Sequence, residues 1–246
     1  MGNDTTSDEA ISLWKRWVLG TASEGDIVVW ARGVLASGRA DGEELPAIAR
    51  LPTDGMFEKK PSVYDYDYYD EALLGPASTL LRTFLLRLRV FGFSEEVVQS
   101  FREKVERDLH KQPGEVEVGG GNLVEYVVGM FPDTEPLIAK INLEEFHQFR
   151  SPEEVAVRLT RWYFAPLVRS EDVGRLALFA DLVEFLLRCG DADVLQAVRM
   201  GVIEEIGLNL GDERDRRMRE VLYPSLGVLG RDELRSCWSE ILEGCS

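Results

Sequence analysis

Residues 170–207 read SEDVGRLALFADLVEFLLRCGDADVLQAVRMGVIEEIG, and this stretch decides the fold class. In its first half Leu176, Phe179, Ala180, Val183 and Leu187 recur at intervals of three and four, which places them along one side of a helix. Glu171 and Asp172 stand in the first turn and Arg188 in the last, the order the helix dipole favours. Gly190 is expected to close this helix in a left-handed conformation, and Asp191 to cap the next. Leu195, Val198, Val202 and Ile206 then form a second stripe. Gly201 within it costs about 1 kcal/mol relative to alanine, so its expected role is close approach of a neighbouring helix. Two helices joined by the Cys189-Gly190-Asp191 turn cannot bury both stripes alone, and further helical layers must cover them.

The flanking sequence supplies those layers. Thr6 to Glu9 matches a capping box, with Ile11, Trp14 and Val18 following at helical spacing and Gly20 as the stop. Ser23 to Asp26 caps a second helix carrying Ile27, Trp30, Ala31 and Val34 inward, which Gly38 ends. Trp14, Trp17 and Trp30 are the expected core of this unit. Residues 51–68 lose all periodicity, and a connection this long is unusual within a compact domain. A strongly apolar helix with Leu80, Leu81, Phe84, Leu85 and Leu88 follows, then one capped by Ser94. Glu115 to Val118 alternates like a short strand. Ser151-Pro152-Glu153-Glu154 is a strong helix start, and Pro166 is expected to interrupt that helix. The sequence of paired helices is analogous to an irregular helical-repeat layout.

Composition bounds the function. The chain of 246 residues is 45% hydrophobic and 29% charged, as in a folded globular protein. Its formal net charge of −16 argues against a nucleic-acid partner, whose phosphates select basic surfaces, and it favours association with a basic protein. No apolar run reaches the roughly 18–20 residues of a membrane span. The N-terminal MGNDTTSDEA is polar and acidic, unlike a secretory signal. Cys189, Cys237 and Cys245 form no paired framework, so reduced thiols in a cytoplasmic protein are expected, with Cys237 buried beside Trp238.

Catalytic and metal signatures are sparse. The chain has two histidines, His110 and His147. Glu144-x-x-His147 matches one half of a di-iron motif that needs two such pairs, and His147 between Phe146 and Phe149 reads as structural. Gly119-Gly120-Gly121-Asn122 lacks the lysine and spacing of a phosphate loop and follows two glutamates. No cofactor and no metal is expected. The stretch Tyr64, Asp65, Tyr66, Asp67, Tyr68, Tyr69, Asp70 and Glu71 stands out instead. Tyrosines give large contact area at low rotamer cost, and interleaved carboxylates pair with cations on a partner. Two readings stand: a loop whose tyrosines pack inward while its aspartates face water, or a partner-binding surface. The second makes these eight residues the candidate site. Asp65-Tyr66-Asp67 also fits the D-x-D pattern of metal-dependent glycosyltransferases, but not on a helical scaffold.

Two local patterns resemble a known class. Trp14-x-x-Trp17-x-x-Gly20, Ser23 and Ile27-x-x-Trp30-Ala31 resemble the opening of small helical bacterial proteins found beside toxins. Leu182 to Ile206, with Gln196-Ala197-Val198 and Gly201-Val202-Ile203-Glu204, together with Trp238, is similar to helical immunity proteins of polymorphic toxin systems. That pattern carries an asparagine where this chain has Gln196 and an aromatic where it has Val202. The resemblance implies a non-catalytic inhibitor that binds a cognate toxin domain and blocks its active site, and the chain's acidity suits a basic one. The expectation is an all-α, irregular bundle of paired antiparallel helices, in subdomains 1–140 and 141–246, binding a protein rather than catalysing a reaction. The rival expectations are a helical scaffold or adaptor with no toxin partner, and an enzyme of an unfamiliar helical class.

Overall fold

The computed structural model describes residues 3–18, 20–39, 43–53, 75–88, 91–144 and 151–243. Among them are 12 helices and no strand, so the chain is all-α. In order these are α1 (Asn3–Val18), α2 (Glu24–Ala36), α3 (Glu44–Ala49), α4 (Pro76–Arg87), α5 (Glu95–Asp108), α6 (Leu123–Met130) and α7 (Glu135–Glu144). Then α8 joins Pro152–Leu159, a π-helical turn Thr160–Phe164 and Ala165–Ser170, and α9 is Val173–Cys189. Next α10 joins Ala192–Gln196, a π-helical segment Ala197–Glu204 and Glu205–Asn209. Last, α11 joins Arg214–Arg217, a π-helical turn Met218–Leu222 and Tyr223–Ser225, and α12 is Val228–Leu242.

Contacts divide the chain into two units: Met1–Gly92 with Asn142–Gln148, and Phe93–Ile141 with Phe149–Ser246. This differs from the expected cut after residue 140. Residues 93–140 belong with the C-terminal helices because α6 buries Tyr126, Val127 and Val128 in the same core as Phe179 and Phe185; the Tyr126 and Phe185 rings are 5.0 Å apart. An apolar stripe says that a face is covered, not by what.

Of the three tryptophans expected in the core of the smaller unit, Trp14 and Trp17 are buried there and Trp30 is half-buried against it. Trp14 and Trp17 stack with centroids 5.1 Å apart, and the Trp14 indole donates to the Leu143 carbonyl at 2.9 Å. Ile27, Ala31, Leu45, Leu81 and Leu85 complete that core. Ser23 caps α2 as expected, forming a capping box with Asp26, and Gly20 and Gly38 take the positive φ that ends α1 and α2. The start of α1 is a correction. Helix begins at Asn3, so Thr6 lies inside it, buried and without a partner for its hydroxyl.

In the larger unit the proline expected to interrupt α8 does not. Pro166 has no N–H to donate, and its ring would meet the carbonyl four residues earlier. The helix widens instead, and Ala165 donates to Thr160 five residues back. Pro224 is accommodated the same way, with Tyr223 donating to Met218. The third π segment surrounds Gly201. A Cβ there would lie 2.7 Å from the Ala156 Cβ and 2.9 Å from the Glu153 carbonyl oxygen, so glycine permits the close approach expected of it.

Gly190 is a second correction. Its φ of −75° is extended rather than left-handed. A Cβ there would lie 2.5 Å from the Leu186 carbonyl oxygen, so the requirement is space. The alternating Glu115–Val118 segment forms no strand. Val116 makes an isolated bridge with Pro113, and Val118 pairs across the fold, donating to Cys189 at 2.9 Å and accepting from Asp191 at 2.8 Å. Asp191 caps α10 as expected, accepting from Val194.

Candidate functional site

The sequence-derived site, Tyr64 to Glu71, lies outside the described residues, as do His147 and the 51–68 connection from residue 54 onward. Two other places in the larger unit gather chemistry-bearing side chains.

The first is a buried carboxylate at the end of α5. Asp108 accepts from Lys111 Nζ at 2.8 Å, the Tyr126 hydroxyl at 3.0 Å and Arg107 Nε at 3.2 Å. Burial works to raise its pKa, but these three donors outweigh it and hold the carboxyl below its ordinary value. The Tyr126 phenol is pushed well above its own, by burial and by the Asp108 charge it faces. Three donors take three of the roughly four acceptor sites of this carboxylate, and a phenol locked neutral is no base. The cluster ties α5 to α6, and Lys104 reinforces it by pairing with Glu125 at 2.6 Å over the Tyr126 ring.

The second place is an open groove of about 390 Å³ between the start of α9 and α11. It arises from how two helices end and begin. At the end of α8 the backbone turns through Glu171, the one non-glycine residue with positive φ among those described (56°). Asp172 accepts from the Arg175 N–H and starts α9. Val173, Leu176 and Ala177 line one wall of the groove, and Glu220, Val221, Pro224 and Ser225 the other. Leu176 is buried at 3% exposure while Val173, at the mouth, is 79% exposed.

Charge surrounds the groove. Arg217 bonds Glu171 and, at 2.9 Å, Glu213. Arg216 reaches Glu213 at 3.4 Å, Glu171 at 3.7 Å and Glu220 at 3.8 Å. Three carboxylates thus share two guanidinium groups, and Glu220, two-thirds exposed, has the loosest hold on them. Nothing in the sequence pointed here, because residues 171–177 and 220–225 meet only through helix packing.

The remaining candidates are structural in character. A cavity of about 20 Å³ among Leu123, Leu159, Phe179 and Val198 has room for about one water and a wholly apolar lining. Cys189 is buried and free as expected, but Cys237 is exposed, which corrects its expected burial. Partial desolvation and the Glu204 and Glu233 carboxylates push its thiol up, away from nucleophilic thiolate. Among the described residues no group of three or more His, Cys, Asp and Glu side chains is placed to hold a metal ion. Among them too, no helix is long and apolar enough to cross a membrane.

Compared with known proteins, the chain matches no protein-family model, no curated protein and no solved structure.

Proposed function

We propose that the protein is a non-catalytic binding module whose partner is a basic protein, in its most specific form a toxin domain that it neutralises stoichiometrically. The observation that carries this reading is electrostatic. The chain has 44 acidic and 28 basic side chains. In the larger unit Lys104, Lys111, Arg161, Arg199 and Arg217 each close an ion pair within the fold. Those cations cancel carboxylates locally, and the long-range field is left to the excess negative charge. Such a field raises the association rate of a basic partner and suppresses acidic ones. The resemblance to immunity proteins adds the partner class, and the eight residues Tyr64 to Glu71 remain a proposed contact surface within that reading.

The test is co-expression with the products of the neighbouring genes, followed by size-exclusion chromatography with light scattering. A one-to-one complex with a basic protein, together with relief of that protein's toxicity, supports the proposal. Its association rate should fall steeply between 50 and 500 mM salt, conditions that shorten the screening length. A partner bound with no salt dependence, or one with no toxicity to relieve, favours the scaffold reading instead.

A further inference from the structure

We infer that the groove between α9 and α11 is the contact that receives a basic, apolar-tipped segment of the protein partner. The inference rests on the basic-partner reading and adds a place and a chemistry to it.

Three features of the groove argue for this occupant. Its floor is apolar, with Leu176 fully covered, and its mouth carries Val173 at 79% exposure. Asp or Glu is favoured in a helix's first turn, yet this position carries an exposed valine. It extends the apolar floor outward to where an incoming side chain would first touch. The rim is acidic. The charged residues that line the groove are Glu171 and Glu220, both acidic, and Glu220 has the looser hold on the neighbouring arginines. A lysine or arginine entering beside an apolar residue would meet that carboxylate while its neighbour covers Val173 and Leu176.

The third feature is backbone strain at the rim. A non-glycine residue in the left-handed region is strained and persists where surrounding structure enforces it. Glu171 is the left-handed C-cap that closes α8, and Arg216 and Arg217 both reach its carboxylate. That hold fixes the carboxylate at the groove edge before any partner arrives. The same charge argues against a second copy of this chain as occupant, because a net charge of −16 opposes self-association.

The experiment uses the full chain, labelled with ¹⁵N, titrated with a 12-residue Lys/Leu peptide and, as controls, Glu/Leu and Lys/Ser peptides of equal length. The expected result is saturable shifts of the amides of residues 171–177 and 220–225 with Lys/Leu alone. Glu220→Lys should weaken that binding about tenfold, as reversal of a rim charge adds repulsion to lost attraction. Val173→Gln should weaken it about threefold by removing apolar contact. Both positions are exposed, and an unchanged thermal midpoint checks that each variant is folded.

Equal affinity of Glu220→Lys and the parent overturns the proposal, as does equal binding of the Glu/Leu peptide. Shifts confined to other surfaces remove the groove and leave the basic-partner reading standing. Concentration-dependent shifts at the groove without peptide would name a second copy as occupant, against the proposal. Absence of any shift also overturns the groove, while the broader reading is decided separately by the light-scattering complex.

Discussion

Glu24 in the smaller unit and Glu184 in the larger one solve the same problem with different degrees of commitment. Each is a helix side chain whose carboxylate caps the N-terminus of a different helix that begins at a glycine and has no side-chain cap of its own. Glu24 accepts from the Ala77 and Ser78 N–H groups at 2.7 and 3.1 Å, and α4 begins after Gly75. Glu184 accepts from Gly230 at 2.6 Å and Leu229 at 3.2 Å, and α12 begins after Gly227. Both glycines lie against the carboxylate, so the residue just before each capped helix leaves room for a cap supplied from elsewhere. The difference is water. Glu24 is buried at 4% exposure, whereas Glu184 is only half-buried. Where water can replace the cap, losing it costs little; where it cannot, two backbone donors are orphaned.

The comparison breaks most visibly at Glu24. Glu24→Ala should destabilise the smaller unit by about 3 kcal/mol, since two buried N–H groups lose a charged acceptor and a cavity opens. Hydrogen exchange resolved by peptide should show lost protection over residues 75–88. Gly75→Ala should cost about 2 kcal/mol by driving that carboxylate off the same donors, and equal protection in the variant would mean that the cap tolerates displacement.

Asp108 extends the comparison to another buried carboxylate, one that holds side chains rather than backbone. Asp108→Asn should cost about 1.5 kcal/mol near neutral pH by weakening three hydrogen bonds. Its sign with pH is fixed by its lowered pKa. The folded value lies below the unfolded one, so the stabilisation is complete above the ordinary carboxylate range and is lost as pH falls through the depressed folded value. Urea midpoints of the parent should therefore drop below about pH 4, and those of Asp108→Asn should drop less. The smallest effect is expected at Glu184. Glu184→Ala should cost about 1 kcal/mol, because water reaches the freed donors. A loss equal to that of Glu24→Ala would show that burial is not what separates the two caps.

Much of the local structure was legible from residue type and spacing. Ser23 with Asp26 and Ser151 with Glu154 form the boxes their sequences announce, since both partners lie within one turn. Gly20 and Gly38 end their helices with positive φ for the same local reason. Prolines misled the reading. Pro166 signals a break, yet neighbouring helices bury Phe164, Ala165 and Leu167 strongly enough that a widened turn replaces termination. Glu171 was legible as an acidic first-turn residue and turned out to be the left-handed corner between two helices. The sequence-derived candidate at Tyr64–Glu71 falls on residues the structure does not describe. The groove escaped notice because its two walls carry ordinary amphipathic patterns and only their juxtaposition is unusual.

By itself the sequence determined the helical class, most helix boundaries, the acidic field and the tryptophan core of the smaller unit. Each follows from interactions within a few residues or from composition. Tertiary structure alone decided that α5 and α6 join the C-terminal core, that Glu24 and Glu184 cap distant helices, and that Val173 and Glu220 share a groove. Those depend on which apolar stripe covers which. Burial of apolar area is non-directional, so the pattern of one helix carries no address for its partner.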